Sequence, residues 1–262
     1  MPTVTLLIKA RSDSQLKQVD KLLQSKLEGL KAQMTPCTTV SYGWVQTTIS
    51  GEDETIALNY LTKEIGLCPI RLESVHKFST VKGFISTLDK NKAEVSVDLG
   101  IFSPDFVASA ISLRNLQAQL GDGRKIALAK FIELFGFCKD LPLTVGVLNV
   151  NEEGNRVEAE LAETQLRLYG NWTRSLLDRL IILGASLHEI EFAVDRTGSA
   201  RDVVGIESSG LFEHAIVCKL GTDAVGLIPK IGKKMPRATF SIFNPKRVLQ
   251  FLGDNSAFLT SL

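Results

Sequence analysis

The chain has 262 residues, of which 44% are apolar and 23% charged, with a formal net charge of +1. That length exceeds what one hydrophobic core usually organises, and three domains of ordinary size are expected. The composition excludes a disordered chain or a fibrous repeat, and the near-zero charge excludes a surface coated in cations for indiscriminate nucleic-acid binding, so any basic site must be local.

From Thr3 to Lys9 apolar residues alternate as in a half-buried strand. Ser12-Asp13-Ser14 then offers N-cap chemistry before an amphipathic run through Leu16, Val19, Leu22, Leu23, Leu27 and Leu30. A second strand fits Trp44 to Ile49. Gly51-Glu52-Asp53-Glu54 places acidic residues at the positive end of a helix carrying Ile56, Leu58, Leu61 and Ile65, which Gly66 ends. Strand, helix, strand, helix predicts a ferredoxin-like α/β unit over residues 1–78.

Val81-Lys82-Gly83-Phe84-Ile85 followed by Asn91 to Gly100 reads as the opening hairpin of a small β-barrel. After the loop Phe102-Ser103-Pro104, apolar residues at helical spacing run from Val107 through Ile111, Leu113, Leu116 and Leu120. Gly121-Asp122-Gly123 breaks that helix, and Ile126 to Phe137 forms a second. Leu143 to Val150 and Arg156 to Leu161 are strands flanking the turn Asn151-Glu152-Glu153-Gly154. Residues 79–163 are thus expected to form a barrel with a helical insertion at 104–139; an independent helical hairpin is the alternative. Beyond Thr164, Leu168, Trp172, Leu176, Leu177, Leu180, Ile181 and Leu183 form one apolar helical face, with Gly184 as a break before a helix at His188 to Val194. Val203 to Ser208, Ala215 to Leu220 and Phe240 to Phe243 read as strands, and Pro245 to Leu252 as a closing helix, which makes 164–262 a mixed α/β unit.

The two hairpin segments and the late strand pair resemble the S1 family of oligonucleotide-binding (OB) barrels. More of the chain is similar to an uncharacterised archaeal family, domain of unknown function 2110. That similarity runs through Trp172, Leu177-Asp178-Arg179-Leu180-Ile181-Ile182-Leu183-Gly184-Ala185 and the stretch from Glu213 to Pro229. The resemblance implies an archaeal cytosolic α+β protein with a ferredoxin-like N-terminal unit, an S1-like middle and a C-terminal α/β unit. It supplies no function.

S1-type barrels bind single-stranded nucleic acid by stacking bases on aromatic rings while cations follow the phosphates. Here Val95-Ser96-Val97 stands where many members carry a ring, so Phe84 and Phe102 are the remaining stacking candidates; core residues are the blander reading of both. Lys82, Lys90 and Lys92 are phosphate candidates or simply solvated lysines. The strongest charge signal comes later. Lys230, Lys233, Lys234, Arg237, Lys246 and Arg247 have no acidic residue between them, and Gly226, Pro229, Gly232 and Pro236 suggest turns that expose backbone to phosphate. A basic loop for solubility or for an acidic partner is the competing reading.

No reaction is specified. Cys37, Cys68, Cys138 and Cys218 lack metal spacing and read as buried free thiols, and His76, His188 and His214 begin no metal-binding pair. Glu213-His214 reads as a structural hydrogen bond rather than an acid-base pair, and Asp178 beside Arg179 as helix-surface charge. Gly221 to Gly226 lacks Walker spacing, and Ser208-Ser209-Gly210 is no nucleophile elbow. No run approaches the roughly 20 apolar residues of a membrane span, and Met1 to Leu6 lacks the regions of a signal peptide, so a cytoplasmic location is expected. The expectation is a non-catalytic RNA-binding or ribonucleoprotein-associated factor without cofactor or metal. The alternative is an adaptor that docks on a transcription or translation protein and does not touch nucleic acid.

Overall fold

The computed structural model describes residues 1–89, 91, 93–151 and 155–253. By its contacts the chain forms two compact units, Met1–Val75 with Leu99–Val107, and His76–Asp98 with Ala108–Leu262.

In the first unit the order is β1 (Thr3–Lys9), α1 (Asp13–Lys26), β2 (Ala32–Met34), β3 (Thr38–Val40), β4 (Trp44–Gly51), α2 (Glu54–Glu64) and β5 (Ile70–Arg71). Ser12 caps α1 as expected, its hydroxyl accepting from the Gln15 N–H at 3.3 Å. The helix stops at Lys26 rather than reaching Leu30, because the chain turns at Gly29 with φ of 89°. β4 lies between β1 and the short pair β2 and β3, all antiparallel. On the free side of β1, Leu7 N–H donates to Gly66 O at 3.0 Å and Cys68 N–H to Thr5 O at 2.9 Å, which adds a short antiparallel fourth segment. This βαββαβ path is the ferredoxin-like unit the pattern predicts.

The second unit opens with a barrel of β6 (Thr80–Asp89), β7 (Glu94–Ser103), β8 (Val107–Ser112), β9 (Pro142–Asn151) and β10 (Arg156–Leu161), with α3 (Leu113–Leu120) and α4 (Leu128–Phe135) between β8 and β9. Pairing runs β7-β6-β9-β10-β8 and returns to β7, with β8 parallel to β10, which is the connectivity of an OB barrel. Every second side chain is buried: Val145 and Val147 on β9, Val157 and Ala159 on β10, Ser109 and Ile111 on β8.

The helix expected from Val107 is β8 up to Ser112. Val107 and Ile111 are four apart, a spacing that satisfies both a helical and a strand period, and the deciding residue is the buried Ser109, which donates to Val97 O at 3.2 Å. α3 then completes the barrel with its amides. Gln119 accepts from Leu161 N–H and donates to Leu161 O, both at 2.9 Å, replacing a strand partner where β8 has ended. Asn115 donates to Ala159 O at 3.1 Å. The turn residues Glu152, Glu153 and Gly154 lie outside the described residues.

The second half of β7 belongs to the first unit, where Ile101 pairs in parallel with Ile70 of β5. Gly100 there has φ of 77°, and a Cβ on it would stand 2.6 Å from Cys68 Cβ, so only glycine fits.

The rest of the second unit is α5 (Glu163–Arg174), β11 (Arg179–Leu183), α6 (Leu187–Arg196), β12 (Val203–Ser208), β13 (Glu213–Cys218), α7 (Ala224–Ile231), β14 (Thr239–Phe243) and α8 (Pro245–Leu252). The strand order is β12-β13-β11-β14, antiparallel throughout. From β11 to β14 the path is again βαββαβ, so the mixed α/β unit is a second ferredoxin-like sheet. The apolar run expected to continue one helix to Leu183 is α5 followed by β11. All five residues of β11 are buried because the strand is central and covered on both faces, and such a run carries no readable period. Leu180 and Ile182 pack under α6 and α7 with Ile190, Ile216, Leu227 and Ile231.

Arg179 and Asp178 are therefore buried at and beside a central strand and are not the helix-surface charges their adjacency suggested. The Arg179 guanidinium lies 5.0 Å over the Trp172 ring, grips Glu207 through two hydrogen bonds at 3.2 and 3.1 Å, and donates to Ser175 Oγ at 2.8 Å and Leu177 O at 2.9 Å. Burial pushes the Cys218 thiol up to about 11 and, with the Asp20 carboxylate beside it, the Cys37 thiol up to about 12. Cys37, Cys68 and Cys218 are buried free thiols, and Cys138 is half-buried. No helix among the described residues is long and apolar enough to cross a membrane.

Candidate nucleic-acid interface

The basic segment does not form one patch. β14 lies between its two halves, and five strand residues span about 17 Å. Lys234 and Arg237 sit before the strand, beside the end of β11, since Thr239 pairs with Leu183. Lys246 and Arg247 follow it, beside the start of β11, since Phe243 pairs with Arg179. Lys230 faces Asp202 at 3.9 Å and Arg247 faces Glu133 at 3.8 Å, so acidic residues far away in sequence meet both. Exposed pairs at these distances leave their cations available to a competing phosphate. Lys233 is exposed on the short turn Gly232–Lys234. Gly226 and Pro229, expected in turns, lie inside α7.

The first half of the segment lines a cleft of about 270 Å³ with Lys234, Met235, Pro236, Arg237 and Ala238 on one side and Gly184, Ala185, Glu189 and Phe192 on the other. α6 supplies the second wall. Its start is fixed by a capping box: Ser186 Oγ accepts from Glu189 N–H at 3.4 Å, and Glu189 Oε2 accepts from Ser186 N–H at 2.7 Å. Glu189 is thereby tied to the positive end of its own helix, which offsets its charge in the cleft. Ile190, Ala193 and Val194 turn into the core, which leaves Phe192 on the opposite face, 50% exposed, with the Arg196 guanidinium 5.2 Å over its ring. An exposed ring and the cations Lys234 and Arg237 thus line one cleft, the residue types that single-strand recognition uses. Phe192 carries a sequence signal, an apolar ring where the helical period otherwise puts His188, Glu189, Asp195 and Arg196.

The barrel candidates are placed differently. Phe84 is 1% exposed in the barrel core, so its ring offers no face to a base; in a strand buried at three successive residues it is packing. Lys82 donates to Ser209 O, and burial pushes its ammonium down while Glu213 partly restores it, so it serves the interior of the second unit and not a phosphate. Phe102 is half-buried in the part of β7 that belongs to the first unit. Lys90 and Lys92 lie outside the described residues.

Glu213 and His214, successive on β13, point to opposite faces of the sheet. His214 Nδ1 lies 2.9 Å from Ser208 Oγ and Nε2 lies 3.2 Å from Leu211 O; since that carbonyl only accepts, Nε2 carries the proton and Ser208 donates to Nδ1. Burial pushes the imidazole below its ordinary value. Among the described residues no group of three or more His, Cys, Asp or Glu is arranged to hold a metal ion.

No curated protein matches the chain. Among solved structures it is similar to the uncharacterized protein MJ1198 from Methanocaldococcus jannaschii, at 12% identity over 34% of this chain and 95% of that one, with a TM-score of 0.24. The a/eIF2alpha-aDim2p-rRNA complex from Pyrococcus horikoshii matches at 7% identity over 47% of this chain and 64% of that one, TM-score 0.26. The intact alpha subunit of aIF2 from Pyrococcus abyssi matches at 7% over 65% and 97%, TM-score 0.25. Likeness at this level says nothing of what this chain binds. The family comparison is decisive: residues 3–69 match the DUF2110 N-terminal domain and residues 177–243 the DUF2110 C-terminal domain, together half of the chain and the two ferredoxin-like sheets. The chain is a member of the DUF2110 family.

Proposed function

We propose that this protein is a non-catalytic single-stranded RNA-binding or ribonucleoprotein-associated factor, and that RNA enters the cleft between α6 and the Lys234–Ala238 loop. The observation that carries the reading is the exposed Phe192 ring set beside Lys234 and Arg237. A base stacks on the ring while the two cations meet flanking phosphates. The ring-and-cation cleft lies against α6 on the C-terminal sheet, and in this reading the barrel acts as scaffold and not as the binding face expected of an S1 domain. Titration of the purified, nuclease-treated protein with fluorescent single-stranded RNA across a salt series tests this: anisotropy should report binding that weakens steeply with salt. Absence of binding at low salt overturns it.

The adaptor reading draws on a different observation. Tyr42 and Phe106 in the first unit are 67% and 38% exposed with ring centroids 4.5 Å apart, a paired aromatic surface of the kind that anchors protein contacts. Nuclease-resistant recovery of a defined protein, lost in Tyr42→Ala, is the result that favours it.

A further inference from the structure

The opposite end of the same sheet carries a second cleft. Because β13 and β14 both run antiparallel to β11, the chain entering β11 lies between the chain leaving β13 and the chain leaving β14. Asp178 comes from the first of these, Lys219, Thr222 and Asp223 from the second, and Asn244 and Lys246 from the third. They line a mostly polar space of about 160 Å³.

Asp178 is 8% exposed. Its Oδ2 accepts from Ala224 N–H at 3.3 Å and from Asn244 Nδ2 at 3.1 Å, so one oxygen joins the first turn of α7 to the cap of α8. Among the described residues no group donates to its other oxygen, Oδ1, which stays open to solvent and has room for a donor. Burial, with the Asp223 carboxylate nearby, pushes the carboxyl up, and the Ala224 N–H, then the Asn244 amide and Lys246, oppose this. Asp223 is occupied as the cap of α7, its Oδ1 accepting from Val225 N–H at 2.9 Å. Lys219 and Lys246 are exposed.

This lining selects among ligands. Apolar lining is limited to Leu176, and a bare anion meets two carboxylates. A ligand with an anionic end for the lysines and a hydroxyl donor for Asp178 satisfies both. We infer that the second cleft binds a ribose phosphate, with the phosphate held by Lys219 and Lys246 and a ribose hydroxyl donating to Asp178 Oδ1. The inference rests on the RNA reading for its natural ligand, but its site is separate from the Phe192 cleft. A contact to the 2′-hydroxyl is what distinguishes RNA from DNA.

The test is calorimetric titration of the full chain with ribose 5-phosphate, 2-deoxyribose 5-phosphate and inorganic phosphate. Saturable binding of ribose 5-phosphate is expected, weaker by roughly tenfold without the 2-hydroxyl, as loss of one hydrogen bond to a charged group implies. It should disappear in the double variant Lys219→Ala, Lys246→Ala, whose side chains are exposed and whose fold is expected to be intact. Asp178→Ala, which leaves no acceptor there, should abolish the preference for ribose; if that variant is destabilised, the lysine variant decides. Ribose 5-phosphate binding no tighter than inorganic phosphate, or unchanged in the lysine variant, overturns the inference. Displacement by an oligoribonucleotide identifies RNA as the source, and displacement by adenosine 5′-monophosphate alone identifies a free nucleotide. Lys234→Ala with Arg237→Ala should weaken RNA binding and leave ribose 5-phosphate binding unchanged. If sugar phosphate fails to bind while RNA affinity still depends on Lys234 and Arg237, only this inference fails.

Discussion

Truncating Phe192 isolates the stacking contribution without disturbing the fold. The ring is 50% exposed on the outer face of α6, and the helix is held by Ile190, Ala193 and Val194, so Phe192→Ala should leave the melting temperature nearly unchanged. A base stacked on an aromatic side chain contributes about 1–3 kcal/mol, so the loss should weaken single-stranded RNA binding by roughly 5- to 150-fold. Stacking involves no counterion, so the slope of log affinity against log salt should stay at the wild-type value. The cations in the same cleft predict the complementary pattern. Lys234 and Arg237 are two positive charges lining it, and each phosphate neutralised on a single strand contributes about 0.7 to the slope. Removing both should lower the slope by about 1.4, so that a fourfold rise in salt costs the wild type roughly sevenfold more affinity than it costs the double variant. Fluorescence anisotropy at about 50 and 200 mM salt measures both effects. A folded Phe192→Ala protein within twofold of wild type, or a double alanine variant with unchanged slope, would refute the cleft as the binding site.

Three further predictions concern the scaffold. Arg179→Met should destabilise the second unit by about 2–4 kcal/mol in urea denaturation, because it takes the guanidinium donor from Leu177 O and the shorter of two donors from Ser175 Oγ and frees Glu207; Arg179→Lys should not restore stability, since an ammonium cannot grip Glu207 bidentately while covering the Trp172 ring. Gly100→Ala should cost at least about 2 kcal/mol, combining a left-handed backbone with a contact to Cys68, and a near-neutral result would mean that the chain relaxes there. His214 is held below its ordinary value by burial, so the unfolded chain binds its proton first: stability is full above about pH 6.5 and falls on acidification below it, by at most about 1.4 kcal/mol per pH unit. His214→Gln should flatten that part of the profile, measured by urea melts from pH 7.5 to 5.5.

Much of the architecture is legible in local pattern, and the failures share a cause. Ser12, Gly66 and Pro245 mark helix ends through backbone chemistry confined to a few residues, and the structure places the ends there. Val107–Ser112 and Arg179–Leu183 read as helix in the sequence because their apolar spacing satisfies two periods or none; tertiary burial makes them strands. The proposed site is half legible. Charge in the segment from Lys230 to Arg247 points to the region, yet charge order along a chain does not show that a strand will split it into two ends about 17 Å apart. Phe192 joins Lys234 and Arg237 only through the antiparallel pairing of β11 with β14, a contact between residues more than forty apart in sequence. Asp178 looked like surface charge because its burial depends on three chain segments meeting.

Photo-crosslinking of the wild-type protein to 4-thiouridine-substituted single-stranded RNA, with the attachment points mapped by mass spectrometry, tests the central claim most directly. The account predicts crosslinked peptides from α6 containing Phe192 and from the Lys234–Ala238 loop, both suppressed by unlabelled RNA. Crosslinks confined to the barrel strands, or no specific crosslink under conditions where a control RNA-binding protein reacts, would contradict it.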